Sequence, residues 1–313
     1  MHAATKLGKT FSMTDTKTYS VRLRRSILSV PAINLRALEK ARGLDCDGVI
    51  FDLEDSVAPE MKAQARENLS AFFAAGRLEG REMVIRINAL SSAFGADDMA
   101  CVIALQPDAV LIPKVDEPDD VLAVFDLLEE AGAPDSLKVW AMMETPRGVL
   151  NAGAIARLGR SDGARLSCFV VGLNDLRKDT GVPMAPGRTY LVPWLMQVVL
   201  AGRAYGVEVI DSVSNDFKDL EAYAAECEQG RLMGFDGKML IHPAQIAAAN
   251  QAFAPAAGDI AEAEAIVAAF ADPAAANLNV LTVDGHMVER LHLEQAKRLV
   301  TKAQLVAKRR MPE

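Results

Sequence analysis

Short apolar runs rich in β-branched residues recur along the chain, each closed by a polar residue and followed by a longer stretch with apolar residues three and four apart. Eight such runs stand out, at 26–30, 48–53, 83–87, 109–113, 138–143, 166–172, 207–213 and 238–241. Most are continuously apolar rather than alternating, as in parallel strands buried on both faces. Their spacing leaves room for one crossover helix each, and the pattern predicts helices over 34–41, 60–74, 117–131, 149–158, 190–205 and 217–233. Several of these end at glycine, such as Gly43, Gly132, Gly206 and Gly234.

Eight βα units in series are the arithmetic of a closed (β/α)8 TIM barrel. The rival, a doubly wound open sheet, lacks its glycine-rich first turn, because 31–34 after the first run reads PAIN. An Ala-rich stretch over 246–270 reads as one continuing helix, broken by Asp272 and Pro273. Beyond it, an apolar run at 280–283, an Asp284-Gly285 turn, a second short run at 287–288 and a helix from about 291 to 308 form a C-terminal hairpin-and-helix arm. The expected organisation is a disordered tail over 1–20, a catalytic barrel over 21–255 and an arm over 256–313.

Composition narrows the partners. Half of the 313 residues are hydrophobic, 24% are charged and 5% aromatic, which suits a large folded core and not a disordered chain. A net charge of -8 repels nucleic acid and anionic membrane, so an anionic ligand needs a local basic patch. No apolar run is long enough to span a bilayer. The four cysteines (Cys46, Cys101, Cys168, Cys227) show neither CxxC nor zinc spacing, so they read as core residues of a reduced, cytoplasmic protein.

In a barrel the chemistry sits at the carboxyl ends of the strands. The residues there are Asp52, Glu54 and Asp55; Arg86 and Asn88; Lys114; Glu144; Asn174 and Asp175; Asp211; and His242. A polar group at nearly every strand end is an expensive way to build a core and is better explained by convergence on a polar ligand. Glu144 and Asp175 suit a hard, oxygen-loving cation such as Mg²⁺; helix capping or lysine pairing is the bland alternative. The Arg86 fork suits a substrate carboxylate, or else an internal ion pair with Asp52 or Glu54. His242 is either a catalyst or hydrogen-bonded structure. Arg22, Arg24 and Arg25, with Lys62 and Arg66, form either an anion site or a solvated charged face.

These positions fall in ordered motifs: RSILSVP at 25–31, FDLEDSVAP at 51–59 followed by Lys62 and Arg66, RIN at 86–88, IPK at 112–114, METPRG at 143–148, GLNDL at 172–176 and GFDGKMLIHP at 234–243. In them the chain closely resembles the HpcH/HpaI aldolase and citrate lyase β-subunit (CitE-like) family. The resemblance implies a Mg²⁺-dependent TIM barrel that cleaves a carbon-carbon bond in a 3-hydroxyacyl-CoA thioester by retro-Claisen chemistry. It places the metal on Glu144 and Asp175 and a carboxylate-binding arginine at Arg86. Asp52 joins the expected catalytic set, and Arg25 is the expected contact for the CoA phosphates. It also implies a homo-oligomer, trimer or hexamer, in which the arm brings a carboxylate to a neighbour's site. The family's Met-Ile-Asp stretch reads Met287-Val288-Glu289 here, so the proton donor falls on Glu289, one methylene longer. The arm and the GLND wording look more like the malyl-CoA and β-methylmalyl-CoA branch, some of whose members hydrolyse the thioester. Malyl-, citramalyl- or citryl-CoA lyase, (3S)-malyl-CoA thioesterase, and a citrate lyase β subunit serving a carrier-bound thioester all remain open at this point.

Overall fold

The computed structural model describes residues 21–160, 163–275 and 278–310; the expected tail over 1–20 lies outside the described residues. Eight parallel strands close into a barrel: β1 (Ser26–Pro31), β2 (Gly48–Asp52), β3 (Glu82–Arg86), β4 (Ala109–Ile112), β5 (Lys138–Met143), β6 (Leu166–Val171), β7 (Glu208–Asp211) and β8 (Gly237–Leu240). Closure is made by β8 pairing with β1, where Met239 faces Ile27 and Leu240 faces Leu28. The eight runs read from the sequence are these eight strands, and the fold is a (β/α)8 barrel.

Alternate residues on the strands go to two different cores. Ile27, Ile50, Val84, Leu111, Trp140, Met142, Cys168, Val170, Ile210 and Met239 cluster together and fill the barrel lumen. Their neighbours, such as Leu28, Val49, Phe51, Met83, Ile85, Val139 and Phe169, pack against the surrounding helices. Those helices are α1 (Leu35–Ala41), α2 (Lys62–Ala74), α3 (Gly95–Leu105), α4 (Pro118–Glu130), α5 (Pro146–Ala156), α6 (Leu173–Thr180), α7 (Val192–Tyr205), α8 (Leu220–Met233) and α9 (Ile246–Ala252).

Two of these were not read from the sequence. α3 begins on Gly95, a residue that looks like a loop signal; it is needed because a Cβ there would strike the carbonyl of Ala89 at 2.5 Å. α6 begins immediately after β6, so Asn174 and Asp175 sit in its first turn and not on the strand.

The stretch over 246–270 is not one helix. α9 ends at Ala252, Pro255 interrupts the chain, and a separate helix, α10 (Ala257–Ala271), follows. This break divides two compact units, one over Arg24–Ala254 and one that runs on from Pro255. Within the second unit, β9 (Val280–Val283) and β10 (His286–Glu289) form an antiparallel hairpin around Asp284, whose φ is 50°. Helix α11 (Arg290–Arg310) packs on α10 over a small core of Ala263, Ile266, Val288, Leu293 and Ala296.

Candidate active site

Counting two residues on from the lumen layer brings Asp52, Arg86, Glu144, Gly172, Ser212 and Ile241 to the carboxyl-terminal mouth of the barrel. Arg86 is held there on two sides. Its Nε and Nη2 donate to the two oxygens of Asp52 at 2.7 Å each, and its Nη1 lies 2.8 Å from Glu54. Asp52 also accepts the backbone N–H groups of Glu54 (2.8 Å) and Ser56 (3.2 Å). Burial works to raise the Asp52 pKa, but the Arg86 charge and these hydrogen bonds outweigh it and hold the carboxyl below the usual range. With four donors on its two oxygens, Asp52 positions Arg86 and has no capacity left to move protons. The bidentate edge of Arg86 expected to grip a substrate carboxylate is therefore taken by Asp52, and its Nη1 side lies against Glu54, so a ligand carboxylate reaches Arg86 only by displacing Glu54.

Lys114 reaches the same cluster from the loop after β4, its ammonium on Glu54 and 3.7 Å from Asp55. Burial raises the Glu54 pKa against the pull of Arg86 and Lys114.

Glu144, only 1% exposed, follows β5. Its Oε1 accepts the Lys114 backbone N–H at 2.8 Å, and its Oε2 has no hydrogen-bond partner among the described residues. Burial pushes its pKa up to about 7; the Lys114 N–H lowers it, and the charges of Glu54 and Asp175 add to the rise. Asp175 is thus within electrostatic reach from the first turn of α6. Gly172 packs directly on Glu144: a Cβ there would lie 2.5 Å from the Glu144 Cβ and closer still to Oε2. Among the described residues no three His, Cys, Asp or Glu side chains converge on one point. Two carboxylates, one with an oxygen that no hydrogen bond occupies among the described residues, in a cluster of five acids against Arg86 and Lys114, fit a cation such as Mg²⁺ that keeps other positions for water and ligand.

Other sequence candidates lie elsewhere. Arg25 precedes β1 at the opposite end of the barrel and is 5% exposed, with Nε and Nη2 each donating to Asp47 at 2.8 Å. It is not available to CoA phosphates, because its charge is already used to close the barrel floor. Arg24 likewise forks onto Glu82 (2.8 Å) and reaches Glu208 (2.9 Å), with its guanidinium 4.7 Å from the centre of the Trp140 ring. Lys62 donates to the carbonyls of Leu53 and Glu54, and Arg66 pairs with Asp97 and Asp98. Asn88 binds Asp98 and the Leu53 carbonyl. Asp211 points out through the barrel wall, where it meets Arg188 and Lys238. His242 caps the turn after β8, its Nδ1 accepting from Ala244, and stacks on Phe217 at 4.6 Å. Glu289 belongs to the second unit and is exposed, its backbone N–H donating to His292 Nδ1 at 2.8 Å.

One feature at the mouth was not singled out from the sequence. A groove of about 550 Å³ is lined by Ser29, Asn34, Arg36, Lys40, Ile241 and His242, among others. Arg36 and Lys40, one turn apart on α1, are exposed and carry no ion pair among the described residues. Their i,i+4 spacing beside a strand-end histidine was the available signal.

The HpcH/HpaI aldolase/citrate lyase family matches residues 25–243, the whole barrel short of its last helix. The chain belongs to this family. A (3S)-malyl-CoA thioesterase of Cereibacter sphaeroides is 42% identical over 283 residues, covering 90% of this chain and 95% of its own. The mitochondrial citramalyl-CoA lyase of Homo sapiens is 28% identical, covering 90% and 85%. A solved structure of CitE from Mycobacterium tuberculosis, in complex with magnesium, acetoacetate and coenzyme A, aligns with a TM-score of 0.68 at 28% identity, over 89% of this chain and 97% of that one. As a member of the HpcH/HpaI family, whose named relatives are lyases and thioesterases, the chain is an enzyme.

Proposed function

We propose that this HpcH/HpaI enzyme is a magnesium-dependent carbon-carbon lyase that splits a malyl-, citramalyl- or citryl-type 3-hydroxyacyl-CoA into an acyl-CoA and a keto acid. The observation that carries this reading is the buried Glu144, with one oxygen fixed and one unused, within electrostatic reach of Asp175 and beside a preset arginine. Glu144 and Asp175 would hold the ion. When bound, Mg²⁺ supplies Lewis acidity that lowers the pKa of a substrate hydroxyl.

Arg86 receives the substrate carboxylate on its Nη1 side in place of Glu54, with Asp52 keeping the guanidinium from turning. The substrate hydroxyl gives up its proton to water, its oxygen becomes the keto group of the keto acid, and the C–C bond electrons pass to the acyl-CoA carbon as an enolate. Glu289, brought by the arm of a neighbouring copy, supplies the proton that quenches that carbon. The groove beside α1 takes the CoA chain, with Arg36 and Lys40 on its phosphates in place of Arg25. The enzyme is cytoplasmic and a homo-oligomer in this reading.

A second reading is favoured by one specific observation, the 42% identity to a (3S)-malyl-CoA thioesterase over nearly the full chain. There the same site would hold the malyl group while water attacks the thioester. Mass spectrometry of products from malyl-CoA and citramalyl-CoA with Mg²⁺ separates the two. A keto acid plus acyl-CoA supports the lyase; a free hydroxy diacid plus CoA supports hydrolysis; no product from any hydroxyacyl-CoA overturns both. Glu289→Gln is expected to lower kcat at unchanged Mg²⁺ affinity, and wild-type kcat removes Glu289 from the reaction.

A further inference from the structure

Lys114 is one of four described non-glycine residues with positive φ, at 50°. A lysine has no side-chain reason to adopt this left-handed conformation, which persists only where the surroundings impose it. The surroundings here do so. Val115, the next residue, is fully buried, and its carbonyl packs so closely on Gly148 that a Cβ there would overlap it. Asp116 accepts from Thr145 Oγ1 at 2.5 Å, and its carbonyl accepts from Asn151 Nδ2 at 2.9 Å. The loop after β4 is thus fastened at three points to the start of α5, immediately past Glu144. What the forced turn achieves is the aim of one N–H group, the Lys114 amide, at Glu144 Oε1.

We infer that Lys114 is a positioning residue acting through its backbone: the left-handed turn, held by the Val115–Gly148 and Asp116–Thr145 contacts, occupies one oxygen of Glu144 so that the other alone is presented to the cation. This rests on the reading of Glu144 as a metal ligand. It gives Gly148 a role without contact to any ligand, since its missing side chain is what lets Val115 sit where the turn requires.

The test separates backbone from ammonium by substitutions that all remove the charge. Lys114→Gly and Lys114→Asn tolerate the left-handed region, whereas Lys114→Ala and Lys114→Val do not. In Ala and Val variants the loop relaxes when the metal is absent, and binding must restore it. Mn²⁺ or Mg²⁺ affinity of the free protein, by electron paramagnetic resonance or calorimetry, is expected to be equal for Gly and Asn and roughly tenfold weaker for Ala and Val. Gly148→Ala, which pushes the same loop from outside, is expected to weaken it likewise, with melting temperatures recorded for every variant. Equal affinity across all four Lys114 variants overturns the inference, as does wild-type affinity in Gly148→Ala. Glu144→Gln is the control for the underlying reading: if it binds the ion like wild type, Glu144 is not a ligand and the failure lies there. The conservative Lys114→Ala, a single truncation at an exposed side chain, keeps the test open should the Val variant not fold.

Discussion

The two ends of the barrel carry similar buried chemistry and put it to different use. At the floor, Arg24 meets Glu82 and Glu208, and Arg25 meets Asp47, so each of these acids rests on a guanidinium. At the mouth, Asp52, Glu54 and Asp55 lie against Arg86 and Lys114, with Lys62 close by, while Glu144 and Asp175 have no ion pair among the described residues. Buried charge that is fully paired holds a structure together at little net gain. Buried charge left in excess destabilises the folded chain until something arrives to balance it. The mismatch, and not the presence of charge, distinguishes the functional end.

The sharpest way to break this contrast is at Glu144 or Asp175. Substituting either with Ala is expected to reduce turnover at least about 10⁴-fold with the fold retained by circular dichroism, and EDTA should do the same reversibly. Full turnover in chelator would place the excess charge outside the reaction. Next in size, Asp47→Ala at the floor should show the mirror image: stability in urea falls by roughly 3–5 kcal/mol, because Arg25 is left buried and alone, while kcat of the folded fraction is unchanged. A lost kcat at unchanged stability would make the two ends equivalent. Smaller again, Arg36→Ala with Lys40→Ala should raise KM for the CoA thioester roughly tenfold at constant kcat, whereas Arg25→Gln should leave KM alone.

The subtlest effect is in acid. Burial tends to raise the Asp211 pKa, but Lys238 and Arg188 more than offset this and hold it below the ordinary aspartate value. A depressed folded pKa contributes stability above about pH 3.9 that disappears as pH falls through the folded value. Urea midpoints between pH 5 and pH 3 should therefore fall less steeply for Asp211→Asn than for wild type.

Much of this was legible from residue order alone. Continuous apolar runs gave all eight strands, and the rule that barrels work at strand ends drew attention to Arg86, Glu144 and Lys114 together. What escaped was direction. Asp211 and Ser212 are adjacent at one strand end, yet alternation sends Asp211 outward to Arg188 and Lys238. Arg25 and Arg36 are both basic residues flanking β1, but one lies before the strand and the other after it, which in a barrel means opposite ends of the molecule. Whether the Arg86 fork faces a ligand or Asp52 depends on a few ångströms that residue spacing does not encode. The short helix α6 hid because its first turn follows the strand without a polar linker, so Asp175, read as a strand-end residue after the sixth run, is in fact helical.

Gly172 has a consequence for how damage to this enzyme should be interpreted. Beside its backbone hydrogen bonds, it contributes a volume left empty against Glu144. A mutation supplying one methyl group would silence the protein while every reactive atom stayed chemically intact. Such an allele would look harmless in any inventory that counts only functional groups.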